Sequence, residues 1–336
     1  MNQTKKKRVL LLFDMPSQPP QRQEAYLELM KQKDWMDERH IYKALKKLGK
    51  YEVSLQGIST SITPLIKRLE SFHPDVVFSL AESFMGEREH APHLVSLLEL
   101  FQTKYTGPSA AVLSLCRDKG LSKKILSYHG IKVPRFLVLS EAKDKDFDDF
   151  CYPAIIKPLD LEASEGITMS SVVYTKEAAL KQIEQLQKNY TADIIIEEFI
   201  PGRDIYLSLL GGKKLKTLPI RELCFTKAQN AKMRFATYKA KWDDPYRKKW
   251  GIKSQPARGI DEKTQKDMED MCKRIYRLFG LKGCARMDLR WRDDGEVYFI
   301  EANPNPALNK RDELALSAKK EGISYEDLID SIIESA

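Results

Sequence analysis

Uninterrupted apolar runs alternate with amphipathic stretches over the first third of the chain. Residues 9–13 (Val-Leu-Leu-Leu-Phe) form a short apolar run of the kind that a parallel strand buried on both faces requires. Residues 51–55 and 75–80 read as further strands. Between the first two runs, Trp35, Ile41, Ala44, Leu45 and Leu48 fall at roughly helical spacing and stop at Gly49, which predicts a helix over 34–48. Residues 63–72 and 92–101 read as two more helices, the second leading into Tyr105-Thr106-Gly107. This β-α-β-α-β alternation predicts a doubly wound α/β domain.

Beyond it, a basic helix starts at Asp118. By pattern alone it has a solvated lysine face and a core face of Leu121, Ile125 and Leu126. A strand over 136–139, an acidic loop over 141–149 and an apolar strand closing at Lys157-Pro158 follow. Residues 176–189 make an amphipathic helix, and a β-branched strand from 193 ends in Glu197-Glu198 before a turn at Pro201-Gly202. Residues 206–210 and 215–221 read as a hairpin through Gly211-Gly212. The polar segment 226–259 has little periodicity, and a loop of that length inside a compact domain is usually functional or mobile. A helix over 262–279 leads to a last hairpin, and a helix over 324–335 packs back on the fold.

That hairpin, residues 284–308, is the chemical centre of the sequence. Asp294-Gly295 is a strong turn signal, and a two-residue turn there pairs positions whose numbers sum to 589, so that Asp293 faces Glu296 and Asp288 faces Glu301. Opposed carboxylates on paired strands repel unless a cation lies between them. Asn303, two residues past Glu301, points to the same face and adds an amide oxygen, giving an all-oxygen set suited to Mg²⁺. Arg286, two residues before Asp288, shares that face. On the bland reading the carboxylates decorate a solvated hairpin. Lys157 adds a second clue, because an ammonium closing an apolar strand is costly to bury unpaired and a polyphosphate is a natural partner. The small-residue loop 161–167 could bring backbone N–H groups to the same phosphates.

The bulk numbers exclude several classes. At 336 residues, 42% apolar and 31% charged, the chain has the composition of an ordinary globular protein large enough for two or three domains. It contains no apolar run long enough to span a membrane and no signal peptide pattern. Its five cysteines are scattered without a Cys-x-x-Cys pair, which points away from a disulfide framework or zinc site and fits a cytoplasmic enzyme. The net charge of +8 is spread along the whole length without a nucleic-acid-binding motif, and no Gly-x-Gly-x-x-Gly dinucleotide fingerprint is present. Neither nucleic acid nor membrane is an expected partner.

Taken in order, these segments resemble the D-alanine–D-alanine ligase branch of the ATP-grasp superfamily: Phe-Ser-Leu-Ala-Glu at 78–82, Tyr-Thr-Gly at 105–107, Asp118-Lys119, Ile156-Lys157-Pro158, the Glu197-to-Asp204 segment, Lys241, and Arg286-x-Asp288 with Glu301-x-Asn303. The resemblance covers nearly the whole chain. It implies an ATP-grasp fold, α+β in its C-terminal part, behind an N-terminal α/β domain. The units would be an N-terminal domain over 1–117, a central lobe over 118–196 and a C-terminal lobe with the metal site over 197–336. It implies that Lys119 and Lys157 contact ATP phosphates, that Glu197 takes the adenine amino group, and that the backbone at Glu198 to Ile200 meets the ring edge. Asp204 would take the ribose hydroxyls and Lys241, on a mobile flap, the γ-phosphate. Ser164 and Gly166 match a loop that closes over the phosphates; Ala163 stands where bacterial D-alanine ligases carry a serine, and Trp242 replaces the usual tyrosine.

The implied metal is Mg²⁺, with Mn²⁺ as a substitute, held by Asp288, Glu301 and Asn303. The implied reaction is ATP-dependent carboxylate–amine ligation through an acyl phosphate, with Arg286 and a backbone N–H stabilising the oxyanion. The implied substrate is an amino acid or small peptide. Two departures set the D-alanine pocket apart: Asp14-Met15-Pro16-Ser17-Gln18 replaces a loop bearing a substrate-binding glutamate, and Asp312 stands near the place of a carboxylate-binding serine. A homodimer through the N-terminal domain is implied only by the resemblance. The sequence is also compatible with a regulatory nucleotide-binding protein and with an ATP-grasp kinase that does not ligate.

Overall fold

The computed structural model describes residues 5–141, 144–161, 164–227 and 235–336. The first sheet is parallel, with β1 (Lys7–Asp14) between β2 (Tyr51–Ile58) and β3 (Val76–Ser79). The run at 9–13 is apolar throughout because both faces of β1 are covered. Val9, Leu11 and Phe13 enter one cluster with the helix Met36–Leu48, while Leu10 and Leu12 enter another with the helices Thr63–Phe72 and Ala91–Leu100. This is the expected doubly wound arrangement. Two late helices, Glu313–Lys320 and Tyr325–Glu334, return to the first face, where Leu328, Ile329, Ile332 and Ile333 share a core with Val9 and Leu11.

The second sheet is antiparallel, in the order β4-β7-β5-β6, from β4 (Phe136–Val138), β5 (Ala154–Pro158), β6 (Val172–Val173) and β7 (Ile194–Glu198). The apolar stripe Ala179, Ile183 and Leu186 of the helix Lys176–Asn189 covers it.

The third sheet runs β11-β10-β8-β12-β13, with β9 on the flank of β8. Its strands are β8 (Arg203–Leu210), β9 (Lys216–Thr217), β10 (Arg221–Phe225), β11 (Ile252–Pro256), β12 (Cys284–Trp291) and β13 (Val297–Asn303). Strand alternation divides its two faces. Ile205, Leu207, Ala285, Met287 and Leu289 pack under the helix Glu262–Phe279. Their neighbours Asp204, Tyr206, Arg286, Asp288 and Arg290 line the cleft between the second and third sheets or the cavity beside it.

Four expectations are corrected. In the last hairpin, Asp288 does pair with Glu301, but Arg292, not Asp293, meets Glu296. The turn holds three residues, Gly295 taking φ +88, and a bulge at Ile300 restores the register. The two one-residue shifts cancel at Asp288. The acidic stretch after 141 contains a short helix, Asp144–Asp148. The long polar segment is largely ordered where it is described: the helices Tyr238–Trp242 and Asp244–Trp250 precede β11, while 228–234 lie outside the described residues. In the basic helix, Lys119–Tyr128, Leu126 is buried and Ile125 packs on the core as expected, but Leu121 is 46% exposed whereas Lys119 and Lys123 are buried.

Candidate active site

The two buried lysines build one wall of the cleft. Lys119 Nζ donates to the carbonyls of Leu159 and Leu161 at 3.1 and 2.5 Å. Lys123 Nζ donates to the Ile300 carbonyl at 2.6 Å, taking up the oxygen exposed at the β13 bulge, and lies 2.9 Å from Glu197 Oε1. Lys157 Nζ donates to Glu197 Oε2 at 3.0 Å. Burial works against the charged carboxylate of Glu197, but the two lysines outweigh it and hold its pKa below the usual range. Burial lowers the Lys123 pKa to about 8 against the pull of Glu197. Lys123 was not singled out from sequence; its place on the same helical turn as Lys119 was the only signal. Glu197 is expected to accept the adenine amino group, and Oε1 lacks an aligned hydrogen bond despite the nearby ammonium, so it keeps acceptor capacity.

The cavity beside these groups is lined by Lys119, Lys157, Ser164, Glu197, Glu198, Phe199, Ile200, Asp204, Lys241, Asp288, Arg290 and Glu301. The fold thus brings the expected nucleotide residues together. Strand β7 supplies Glu197 and Glu198; the turn at Pro201-Gly202 swings the chain into β8, which supplies Asp204. Ser164 sits at φ +63 and Gly166 at φ +73, so this loop takes left-handed turns. Glu162 and Ala163 lie outside the described residues. The Tyr238 backbone N–H donates to the Ile167 carbonyl at 3.1 Å, which couples the helix carrying Lys241 to that loop.

Asp288 and Glu301 face each other across β12 and β13, and Arg286 is paired with Asn303. Arg286 grips Asp288 with two hydrogen bonds, Nε to Oδ1 at 2.7 Å and Nη2 to Oδ2 at 3.0 Å, and its Nη1 lies 3.5 Å from Glu313 Oε2. Burial opposes charge on Arg286, but Asp288 and Glu313 outweigh it and raise its pKa. Its guanidinium carbon stands 5.0 Å over the Tyr206 ring. Asn303 Nδ2 is 3.3 Å from Asp288 Oδ1. Lys241 Nζ sits between the carboxylates, 3.9 Å from Asp288 Oδ2 and 4.0 Å from Glu301 Oε1. Burial raises the pKa of Asp288, with Glu301 adding to the effect. Burial also opposes charge on Glu301, yet Lys241, Lys119 and Lys157 together lower its pKa.

Among the described residues, no group of three or more His, Cys, Asp or Glu side chains is placed to hold a metal ion. Two facing carboxylates and an amide nevertheless fit Mg²⁺, which takes one or two carboxylates and completes its shell from water and phosphate oxygens. Next to them a second cavity is lined by Glu82, Arg88, Tyr206, Lys241, Trp242, Arg286, Asn303 and Asp312, among others, so it shares the Arg286–Asn303 edge. Burial and Glu313 push the Asp312 carboxyl up to about 6.

Comparison with known proteins shows the family. The family model described as D-ala D-ala ligase C-terminus matches residues 125–334. D-alanine–D-alanine ligase A of Bacillus cereus is 31% identical over 242 residues, covering 71% of this chain and 74% of that protein. An uncharacterised protein of Sinorhizobium fredii is 28% identical over 281 residues, covering 81% of this chain and 80% of its own. The solved D-alanine–D-alanine ligase of Bacillus anthracis complexed with ATP superposes with a TM-score of 0.74 over 98% of this chain and 97% of that one, at 21% identity, a likeness of fold. The chain belongs to the D-alanine–D-alanine ligase family and has its ATP-grasp fold.

Proposed function

We propose that this protein is an ATP-dependent carboxylate–amine ligase whose carboxylate substrate is an amino acid or small peptide. The observation that carries this reading is the Asp288–Glu301 pair with Lys241 between them, at the end of a cavity walled by Lys119, Lys157 and Glu197. Three units, 1–117, 118–196 and 197–336, are supported by the three sheets; the return of the last helices to the first sheet ties the third unit to the first.

Asp288, Glu301 and Asn303 would hold Mg²⁺, which supplies charge neutralisation at phosphate oxygens. Lys119, Lys157 and Lys241 offset the phosphate charge while the γ-phosphoryl passes to the substrate carboxylate. Glu197, the backbone of Glu198 to Ile200 and Asp204 orient the nucleoside. Ser164 belongs to the loop over the phosphates. After the amine attacks the acyl phosphate, Arg286 meets the oxyanion; its two bonds to Asp288 fix it in advance, the preorganisation that such stabilisation needs. Asp312 beside Glu313 is an unfavourable neighbour for a second substrate's carboxylate, which supports a substrate pair other than two D-alanines.

The test is ADP release from Mg²⁺-ATP across D- and L-amino acids and short peptides, run beside Glu301→Gln. Turnover that needs both an acid and an amine, reduced in the variant by a factor of about 10²–10³, is the expected result. ADP formed without any amine would replace ligation by phosphorylation. ATP binding without turnover on any pair would favour a nucleotide-binding role.

A further inference from the structure

We propose that Arg290 is a positioning residue of the nucleotide site, tying the Ile200 carbonyl to the Asp204 carboxylate so that one carboxylate oxygen is presented to a ribose hydroxyl. The proposal rests on reading this cavity as the ATP site. Arg290 lies two residues beyond Asp288 on β12, on the same face, and is the cross-strand partner of Asp204 on β8. Only 6% of it is exposed. Its Nε donates to the Ile200 carbonyl at 3.0 Å, its Nη1 donates to Asp204 Oδ1 at 2.7 Å, and its guanidinium carbon stands 5.7 Å from the centre of the Phe199 ring. One planar group therefore touches three points of the turn joining β7 to β8, the segment expected to meet both the base and the sugar.

The remaining oxygen carries the argument. Asp204 Oδ2 is buried, has no hydrogen-bond partner among the described residues, and belongs to a side chain that lines the nucleotide cavity. Buried polar atoms are satisfied as a rule, so an acceptor left without a donor at a cavity wall calls for a donor from the ligand. A ribose hydroxyl is the donor that an ATP molecule brings. Arg290 fixes Oδ1, which leaves Oδ2 as an oriented acceptor. Without Arg290 the buried carboxylate loses its counter-ion and its orientation together.

The experiment is direct binding of ATP, 2′-deoxy-ATP and 3′-deoxy-ATP with Mg²⁺ by calorimetry, on the full chain without acyl or amine substrate. Wild type, Arg290→Met and Arg290→Lys are compared, and thermal melting establishes that each variant is folded. The wild type is expected to prefer ATP about tenfold over at least one deoxy analogue, the value of one hydrogen bond donated to a charged acceptor. In Arg290→Met that preference should fall toward one, ATP losing more affinity than the deoxy analogue, with Arg290→Lys between. A preference kept in Arg290→Met, or an equal loss for both nucleotides, overturns the proposal, since a merely structural role does not change the ratio. A wild type that binds ATP without discriminating overturns it too, while leaving the ligase reading intact. A wild type that binds no ATP overturns both.

Discussion

Lys123 and Glu197 meet at 2.9 Å with 0% and 2% of their side chains exposed. With Lys157 on the other carboxylate oxygen they form a buried triad joining the helix Lys119–Tyr128 to β7 and β5. Through the Ile300 carbonyl, Lys123 also reaches the bulge that returns Glu301 to its place opposite Asp288. The residue therefore links the nucleotide wall to the carboxylate pair.

Breaking that link should be costly. Lys123→Met leaves Glu197 with one counter-ion and takes the ammonium donor from the half-buried Ile300 carbonyl. Loss of one member of a buried ion pair destabilises by about 3–5 kcal/mol. Denaturant unfolding is expected to show this loss, and adding Glu197→Gln should not recover it, because the buried Lys157 then loses its carboxylate as well. Equal stability of wild type and Lys123→Met would remove the triad from the fold's supports.

The hinge between the two antiparallel sheets depends on Gly202. It has φ +137, and a Cβ there would lie 2.2 Å from the Trp291 carbonyl oxygen. The neighbour is backbone, so it cannot swing away. Gly202→Ala should destabilise by at least about 1–3 kcal/mol from the backbone conformation alone and should weaken nucleotide binding by shifting Ile200 and Asp204. Melting temperature together with ATP affinity measures both; an unchanged affinity would separate the turn from the nucleotide site.

Glu38 gives the protein a pH dependence away from the carboxylate pair. Burial, with Asp37 and Asp14 nearby, raises its pKa from 4.5 to about 7. The folded state then binds more protons than the unfolded chain between those values, so this residue's contribution is fully present below pH 4.5 and is lost as pH rises to about 7. Glu38→Gln cannot ionise. Its stability advantage over wild type should grow across that window and level off above it, in paired melts from pH 4 to 8. A constant difference would show that Glu38 titrates normally.

Much of this was legible from residues alone. Strand periodicity places Arg286, Asp288, Glu301 and Asn303 on one face, since alternation needs only that the strands exist. The apolar run at β1 announces a strand covered on both sides, and Gly49, at φ +71, ends its helix where the pattern stops. The turn was not legible in detail. Two-residue and three-residue turns both accept Asp-Gly, and the bulge at Ile300 answers a carbonyl contact with Lys123, 177 positions away.

Local pattern placed Ile125 and Leu126 of the basic helix correctly but put Leu121 in the core and Lys119 and Lys123 in solvent, where the fold does the opposite. Periodicity cannot tell a lysine that faces water from one that faces a buried carboxylate, because the partner, Glu197, is distant in sequence. The same holds for Arg290: its spacing from Asp288 puts it on the cleft face, but its meaning comes from Asp204 on the neighbouring strand. The sequence by itself determined most of the strands and helices, the chemical inventory and the shared face of the two carboxylates, because these follow from short-range periodicity and residue chemistry; their pairing also needed the bulge at Ile300 to cancel the longer turn. Only the tertiary structure decided which charges are buried against which, since burying a charge is tolerable where its partner is already held, and that partner arrives through the packing of sheets far apart along the chain.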